Sequence, residues 1–335
     1  MIKTFSLKEF SHTKMFTLLV LEAGLIILFS IWASLIGNNF LAFSTIVSIL
    51  DSLVLSSFLA IGAGCVLLSG HIDLSQAAVG AFAGVLLGTC IRNAGLPLGV
   101  AMLITVAVAA GLGFVNGLLV NKFNFQSFIG TLAMASVIRG LMLFTSVPAS
   151  GGAPAQVMFN DPTLRFIGTY RLGGVFPVAI FLTLIAFVVY AILMQRTKFG
   201  MRVYLVGSNP VAARYSGINP KMITYILFIN CAILSSVSGM LAASRVMQGS
   251  LTALSTSQFT GLTAAILGGI SFGGGRGGMM GTFVGLIILN TFQTGMAIIN
   301  AGSSWTIAFQ GILLIAALTL DYFSTKGAQS IVLNR

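Results

Sequence analysis

The chain has 335 residues, of which 57% are hydrophobic and only 7% are charged, and its mean hydropathy is +1.02. Soluble domains contain about 25% charged residues, so this composition excludes an ordinary soluble protein and indicates a polytopic membrane protein. The net charge of +11 comes from basic residues scattered at segment ends without interleaved aromatics, so it does not indicate nucleic-acid binding. Cys65, Cys90 and Cys231 lie inside apolar stretches and predict no disulfide framework.

The apolar segments predict an all-helical fold of about ten transmembrane helices, with eight or nine as alternatives. A spanning helix needs about 20 apolar residues. Windows of roughly this kind lie at 15–36, 44–68, 76–91, 96–120, 125–147, 175–194, 222–244, 259–270, 279–299 and 305–323. The third and eighth windows are short, which is typical of broken or re-entrant elements. The sequence therefore predicts one transmembrane domain over 15–323.

The basic residues predict which loops face the cytosol. Residues 1–14 contain three lysines and one acid, so this N-terminal segment is expected to be cytosolic. Alternation from that start places the loop 148–174 outside, the segment 195–221 inside and the tail 324–335 inside. The segment 195–221 contains five basic residues and no acid. This charge bias agrees with the predicted topology.

Two Gly-rich interruptions divide the apolar sequence. The first is 69–75 (SGHIDLS) and the second is 268–278 (GGISFGGGRGG), and each precedes an apolar stretch with spaced glycines. This echo predicts an internal duplication, a common construction in transporters. The second interruption is expected to form a tight cytosolic turn between close helices, with an anion site as the alternative. The residues of this predicted turn are Gly268, Gly269, Gly274, Arg276 and Gly277.

Motifs of catalysis and metal binding are missing from the sequence. No lysine follows a glycine, so there is no GxxxxGK[ST] phosphate loop and the chain is not expected to hydrolyse ATP. The two histidines, His12 and His71, lie far apart without an HExxH pattern, so no metal site is predicted. We therefore expect no catalytic residue and no cofactor in this chain, and a membrane-embedded enzyme is the most distant alternative.

Polar residues within the apolar segments are candidates for the gate or wall of a translocation path, because a charge at the bilayer centre costs about 3 kcal/mol or more. Asp73 and Ser75 in the first interruption are candidates for the gate, and Asp73 is interpreted equally as a gate residue or as a helix cap. Asn116, Asn290 and Gln293 are candidates to line a hydrophilic path, with interhelical hydrogen bonding as the alternative.

Three further charged residues have structural interpretations. Glu22 is expected to pair with a basic residue or to reach a polar cavity. Arg139 and Arg245 are expected to extend along the helices towards the membrane surface.

Four motifs together resemble the permease subunits of bacterial ABC importers for ribose, xylose, galactose and related monosaccharides. They are 70–75 (GHIDLS), 128–132 with Arg139-Gly140, 207–218 (GSNPVAARYSGI) and 268–277 with Gly281-Thr282. The resemblance extends over most of the length, from about residue 57 to residue 321, and each motif is weak alone.

The chain departs from that family's usual pattern at four positions, which leaves the sugar undetermined. His71 stands where Gly is usual and Gln76 where Val is usual. Ser127 stands where Pro often precedes Phe-Ile, and Val211 stands where Glu is common.

The resemblance implies a division of labour among several proteins in the bacterial inner membrane. A separate cytosolic ATPase would bind ATP and Mg and supply the energy, and an extracytoplasmic binding protein would deliver the solute. Two permease chains, identical or paired, would form the path at their interface. A stand-alone secondary transporter or channel is the alternative for the whole chain.

The resemblance also implies that the segment 195–221 docks on the ATPase. We expect one or two short helices here, with an Asn cap, a Pro in the first turn and a Gly at the end. Small alanines would then fit a groove of the ATPase, and an arginine would pair with the acidic rim of that groove. The residues predicted to couple the two proteins are Asn209, Pro210, Ala212, Ala213, Arg214, Ser216, Gly217 and Ile218. An ordinary solvated loop is the alternative.

Overall fold

The computed structural model describes residues 14–148 and 151–333, which form thirteen α-helices, four two-residue strands and a short 3-10 turn. The first six helices are α1 (Lys14–Leu35), α2 (Phe43–Leu68), α3 (Gln76–Arg92), α4 (Leu98–Asn121), α5 (Ser127–Thr145) and α6 (Pro162–Thr169). The others are α7 (Ala179–Arg196), α8 (Lys198–Ser208), α9 (Pro210–Tyr215), α10 (Pro220–Val246), α11 (Thr260–Leu267), α12 (Met279–Ile298) and α13 (Ser303–Leu333). The strands are β1 (Val157–Met158), β2 (Arg171–Leu172), β3 (Phe176–Pro177) and β4 (Gln248–Gly249), and the 3-10 turn is Ser255–Ser257.

Seven of the described helices are long and apolar enough to cross a membrane, namely α1, α2, α4, α5, α7, α10 and α12. The all-helical transmembrane class is therefore confirmed, whereas the predicted count of ten spanning helices is not. The third and eighth windows are short because α3 starts only after the first interruption, at Gln76, and α11 ends at Leu267, where the second begins. α13 continues past residue 323, where the predicted tail begins, to Leu333. Residues 1–13 and 334–335 of the predicted terminal segments lie outside the described residues.

The centre of the molecule is formed by α2 and α10, which pack against each other, with α3 enclosed beside them. Close approach depends on glycine, because a β-carbon at Gly239 of α10 would overlap the carbonyl oxygen of Gly80 in α3. Contacts between small residues are a common way of packing helices in lipid, where apolar surface alone does not drive association. As a result, most side chains of α3 are buried.

The packing pattern repeats between the two parts of the chain. α10 lies against α3 and α4, and α2 lies in the same way against α11 and α12. α3 also packs on α5, as α11 packs on α13. The first helix of each part thus packs on the second and third helices of the other part. This pattern fits an internal duplication in which α2–α5 correspond to α10–α13. The two Gly-rich interruptions do not correspond within it, because the first precedes α3 and the second follows α11.

The two ends of the molecule differ in structure. One end, which we call the β face, contains α6 and the strands, where β1 pairs with β4 and β2 pairs with β3. The other end, which we call the α9 face, contains α8 and α9. α10 begins just after α9 and ends just before β4, so it extends from one face to the other. Its 27 residues, at a rise of 1.5 Å each, separate the two faces by about 40 Å.

Candidate functional site

The segment 195–221 forms two short helices, α8 and α9, as the sequence predicts. α9 begins at Pro210, and the side chain of Asn209 accepts hydrogen bonds from the backbone N–H groups of Val211 and Ala212, both at 3.0 Å. The predicted Asn cap and the Pro in the first turn are therefore confirmed. The two contacts satisfy N–H groups that would have no partner within the helix.

α9 ends in the turn that the sequence predicts at Gly217. The backbone N–H of Gly217 donates to Arg214 and that of Ile218 donates to Ala213, both at 3.0 Å. Gly217 has φ +79°, a left-handed conformation that glycine adopts without steric cost. This double hydrogen bond is the Schellman arrangement, and it sets the angle at which α10 follows.

The outward surface of α9 differs from the predicted one at Ala213. Its side chain is only 2% exposed and packs in the core of the chain itself, so it does not face a partner. Val211 and Tyr215 are 62% and 89% exposed, and Ala212, Arg214 and Ser216 are exposed as well. A shallow depression of about 330 Å³ is lined by Pro210, Val211, Arg214, Tyr215 and Pro220. Ala213 therefore supports α9 from inside, and the surface consists of its neighbours.

The end of α8 meets both Gly-rich interruptions in one place, which we call the glycine junction (68–70, 207–208 and 273–275). The N–H of Gly275 donates to the carbonyl of Leu68 at 2.9 Å. A β-carbon at Gly207 would overlap that same carbonyl oxygen, and one at Gly274 would lie 2.6 Å from the backbone nitrogen of Gly70. Three backbone segments can meet here only because these positions have no side chains.

The second interruption forms a tight turn with close backbone contacts, as the sequence predicts. Gly269, Gly274 and Gly277 have positive φ angles, and a β-carbon at Gly268 would overlap the backbone of Gly281 in the first turn of α12. Arg276 is exposed. The hydroxyl of Tyr204 in α8 donates to the carbonyl of Gly277 at 2.8 Å.

The first interruption contains a buried polar network around Asp73. One carboxylate oxygen of Asp73 accepts hydrogen bonds from the backbone N–H of Ser75 at 2.8 Å and from its hydroxyl at 2.6 Å. The amide of Asn116 in α4 donates to the same hydroxyl at 2.8 Å. Asp73 is 5% exposed, and Ser75 and Asn116 are fully buried. Asp73 thus stabilises the turn before α3 and does not accept from the N–H groups of the helix itself.

The extended backbone of this interruption is hydrogen-bonded to α5. The N–H groups of Ile72 and Leu74 donate to the hydroxyls of Ser127 and Thr131, both at 3.0 Å. An unwound segment in a membrane needs such partners, because water is not there to supply them.

Asn290 and Gln293, predicted together as path residues, have different environments. The amide of Asn290 donates to the hydroxyl of Ser56 at 3.1 Å, and Asn290 is 1% exposed, so interhelical hydrogen bonding is the correct interpretation for it. Gln293 instead faces a groove of about 290 Å³ near the β face. The groove is lined by Thr256, Gln293, Ala297, Ala301, Thr306, Ile307 and Gln310.

The charged residues form contacts that the sequence does not reveal. Asp51 accepts from the guanidinium groups of Arg171 at 2.6 Å and Arg245 at 2.8 Å, so Arg245 has an ion-pair partner that the sequence does not indicate. Arg139 donates to the side-chain oxygen of Gln258 at 2.9 Å. The carboxylate of Glu22 accepts from the hydroxyl of Thr291, a neutral partner, at 2.7 Å. No sequence motif indicated Asp51 or Gln258, because their partners lie more than 100 positions away.

Comparisons of the sequence with known proteins find permeases. A family model described as the permease component of the branched-chain amino acid transport system matches residues 45–318. The ribose import permease protein RbsC of Bacillus subtilis (strain 168) is 32% identical over 89% of this chain and 90% of its own length. The L-arabinose permease protein AraH of Azospirillum brasilense is 30% identical over 91% and 88%, and the fructose import permease protein FrcC of Rhizobium meliloti is 27% identical over 88% and 82%.

Proposed function

The chain belongs to the family described as the permease component of the branched-chain amino acid transport system, and we propose that it is the permease subunit of an ATP-driven sugar importer. The support for a sugar is that relatives named for ribose, arabinose and fructose import are similar to it over nearly their whole length. The proposed cargo is a monosaccharide or a similar small polar solute.

The observation that carries this proposal is the glycine junction at the base of the exposed α9. α9 presents a surface that is free within the described chain, and α8 connects it to residues 68–70 and 273–275. These residues end α2 and precede α12, so a displacement of α9 by a partner would move α2 and α12. Coupling of this kind suits a chain that must receive its energy from another protein.

The proposed partners follow from this arrangement and from the missing phosphate loop. A cytosolic ATPase, which binds ATP and Mg, would dock on the α9 face. An extracytoplasmic binding protein would dock on the β face and release the solute there. A second permease subunit, identical or paired, would complete the path within a bacterial inner membrane, and both termini of the chain would be cytosolic.

The alternative of a stand-alone secondary transporter has little support in the positions of the acids. Glu22, Asp51 and Asp73 lie in three separate places, bonded to Thr291, to two arginines and to Ser75 respectively. A relay of protons needs acids within reach of one another.

Uptake into membrane vesicles tests the proposal against this alternative. The full chain is produced with the ATPase and binding protein encoded by neighbouring genes, and uptake of labelled D-ribose, D-fructose and L-arabinose is measured. We expect uptake of at least one sugar that requires ATP and both partners. Uptake that persists without the ATPase under an ion gradient would contradict the proposal and favour the secondary transporter.

A further inference from the structure

The groove near the β face contains polar groups that have no hydrogen-bond partner in the described structure. The amide of Gln293 and the hydroxyls of Thr256 and Thr306 make no side-chain hydrogen bond there, although other helical Thr and Ser residues bond to the carbonyl one turn earlier. Gln310 uses its amide N–H to bond the hydroxyl of Thr260 at 2.8 Å and also lines the groove. Four amide or hydroxyl groups thus converge on one open space.

These groups are poorly suited to face lipid. An amide or hydroxyl without a partner costs several kcal/mol in hydrocarbon, and a nearby helix surface shows what lipid contact requires. Further along α13, Ile312 and Ile315 are 56% and 66% exposed and apolar. The groove therefore needs an occupant that can donate and accept hydrogen bonds.

The groove lies at one depth in the molecule. Gln293 is five positions before the end of α12, and Gln310 is seven positions after the start of α13, which places them about 8 Å and about 10 Å inside the β-face ends of these helices. Arg139 is six positions before the end of α5, and its bond to Gln258 joins α5 to the loop that contains Thr256. The Arg139–Gln258 bond therefore fixes this loop to α5 two residues away from Thr256, which lines the groove.

We propose that this groove is a contact surface for the transported solute, and that it selects an uncharged solute with several hydroxyl groups. Amides and hydroxyls can bond both the hydrogen and the lone pairs of a solute hydroxyl. No ionisable residue lines the groove, so a charged solute would lose its hydration there without gaining an oppositely charged partner. Ala297, Ala301 and Ile307 supply apolar surface for the C–H groups of such a solute. This inference rests on the proposed function, whose site it makes more specific.

Cysteine substitution tests whether the groove contains water. The native cysteines are buried, so wild-type protein provides a low background. We expect Gln293→Cys and Thr306→Cys to react about tenfold faster with a charged, membrane-impermeant thiol reagent than Ile312→Cys, because the reaction requires an accessible thiolate. Ile312→Cys is the matched control, since it lies on α13, is exposed and does not line the groove.

Protection and transport test whether the solute occupies the groove. A saturating amount of whichever of the three labelled sugars the wild type takes up should slow the reaction of Thr306→Cys. Gln293→Leu should lower uptake of that sugar about tenfold, the effect of one lost hydrogen bond, while Ile312→Leu should not.

Three results would overturn the inference. Equal labelling of Thr306→Cys and Ile312→Cys would show that lipid or protein seals the groove. Rapid disulfide formation between two copies of Thr306→Cys that the sugar does not slow would identify the groove as a closed subunit interface from which the solute is excluded. Fast labelling without protection, combined with normal uptake by Gln293→Leu, would identify a water-filled groove that the solute does not use.

If the wild type takes up no sugar, the proposed function fails separately, and a groove that labels no faster than Ile312→Cys would still overturn the inference.

Discussion

His71, Gln76 and Ser127, three residues that depart from the usual pattern of sugar permeases, lie around the same interruption of the chain. A ring nitrogen of His71 lies 3.4 Å from the hydroxyl of Thr224. The hydroxyl of Ser127 accepts from the backbone N–H of Ile72, a role that proline has no side-chain oxygen to fill. The departures therefore belong together, because each supplies a polar contact to the unwound segment or to its neighbours.

The side-chain amide of Gln76 has two possible orientations, and we prefer one of them. In one orientation its nitrogen donates to the sulfur of Cys231 at 2.9 Å. In the other it donates to the carbonyl of Leu59 at 3.1 Å and accepts from the N–H of Ala63 at 3.0 Å. The second satisfies both ends of the amide, and orientation is assigned from such networks. Gln76 then bonds to the backbone of α2 where the helix contains Gly62 and Gly64.

Replacement of Ser127 by alanine tests the polar support of the interruption. Ser127→Ala would leave the N–H of Ile72 without a partner, and we expect a loss of about 1–3 kcal/mol of stability. Thermal unfolding in detergent can be followed with a thiol-reactive dye, because Cys65, Cys90 and Cys231 are buried until the protein unfolds. Ser136→Ala on the same helix, at an exposed position, is the control, and equal unfolding temperatures of the two variants would contradict the role of Ser127.

At the scale of the element, α9 has an inner and an outer side, and the two alanines of its motif lie on different sides. Ala213 packs inside and Ala212 faces outwards. The sequence predicts both as contacts with a partner because a six-residue helix has too little apolar periodicity to show which side is buried.

Bulky substitutions at the two alanines should therefore have different effects. Ala212→Phe should weaken binding of the ATPase in a pull-down and reduce transport, with unchanged thermal stability of the permease itself. Ala213→Phe should lower that stability by about 1–3 kcal/mol, because a larger side chain overpacks the core. If Ala212→Phe binds the ATPase and transports normally, the docking role of this surface is wrong.

Gly217→Pro would not test docking alone. Proline fixes φ near −65° and removes the N–H that donates to Arg214, so the turn itself would be lost. Gly217→Asn is a milder comparison, since asparagine tolerates positive φ.

The glycine junction is the second feature at this scale. Gly207→Ala would place a methyl group against the carbonyl of Leu68, and we expect about 1–3 kcal/mol of destabilisation together with a loss of ATP-dependent uptake. Gly140→Ala is the matched control, because a β-carbon there has no neighbour within 4 Å. The same dye-based unfolding assay and vesicle uptake measure both effects. An unchanged Gly207→Ala variant would mean that the three backbones can separate without loss of function.

At the scale of the whole molecule, the number of crossings decides where the termini lie. Four of the seven long helices precede residue 152, and α3 would be a fifth crossing. An odd number places residue 152 on the side opposite the N-terminus, and an even number places it on the same side.

Reporter insertions measure this parity directly. Alkaline phosphatase inserted after Gly152 should be active on the extracytoplasmic side of the membrane. We expect this because α3 and the extended segment 69–75 before it together complete a fifth crossing. A fluorescent protein fused to the C-terminus should fluoresce in the cytosol, as ten crossings require. Inactive phosphatase at Gly152 would show that α3 does not cross, and a dark C-terminal fusion that is present in the membrane would contradict the predicted tail.

The sequence by itself determined the features that depend on local chemistry. Apolar length predicts helices in a membrane, and the Asn209 cap, the Pro210 start and the Gly217 end follow from backbone hydrogen bonding within a few residues. The short third and eighth windows were visible for the same reason, since glycines and polar residues interrupt them.

Only the tertiary structure decided which polar residues have partners. Asn290 and Gln293 lie three positions apart on one helix, and nothing in their local sequence separates them. Asn290 meets Ser56, which is 234 positions away, whereas Gln293 faces the groove. The partner of a buried amide comes from another helix, so its role depends on packing between distant segments. The meeting of residues 68–70, 207–208 and 273–275 has the same cause, because their close approach is a property of three backbones together.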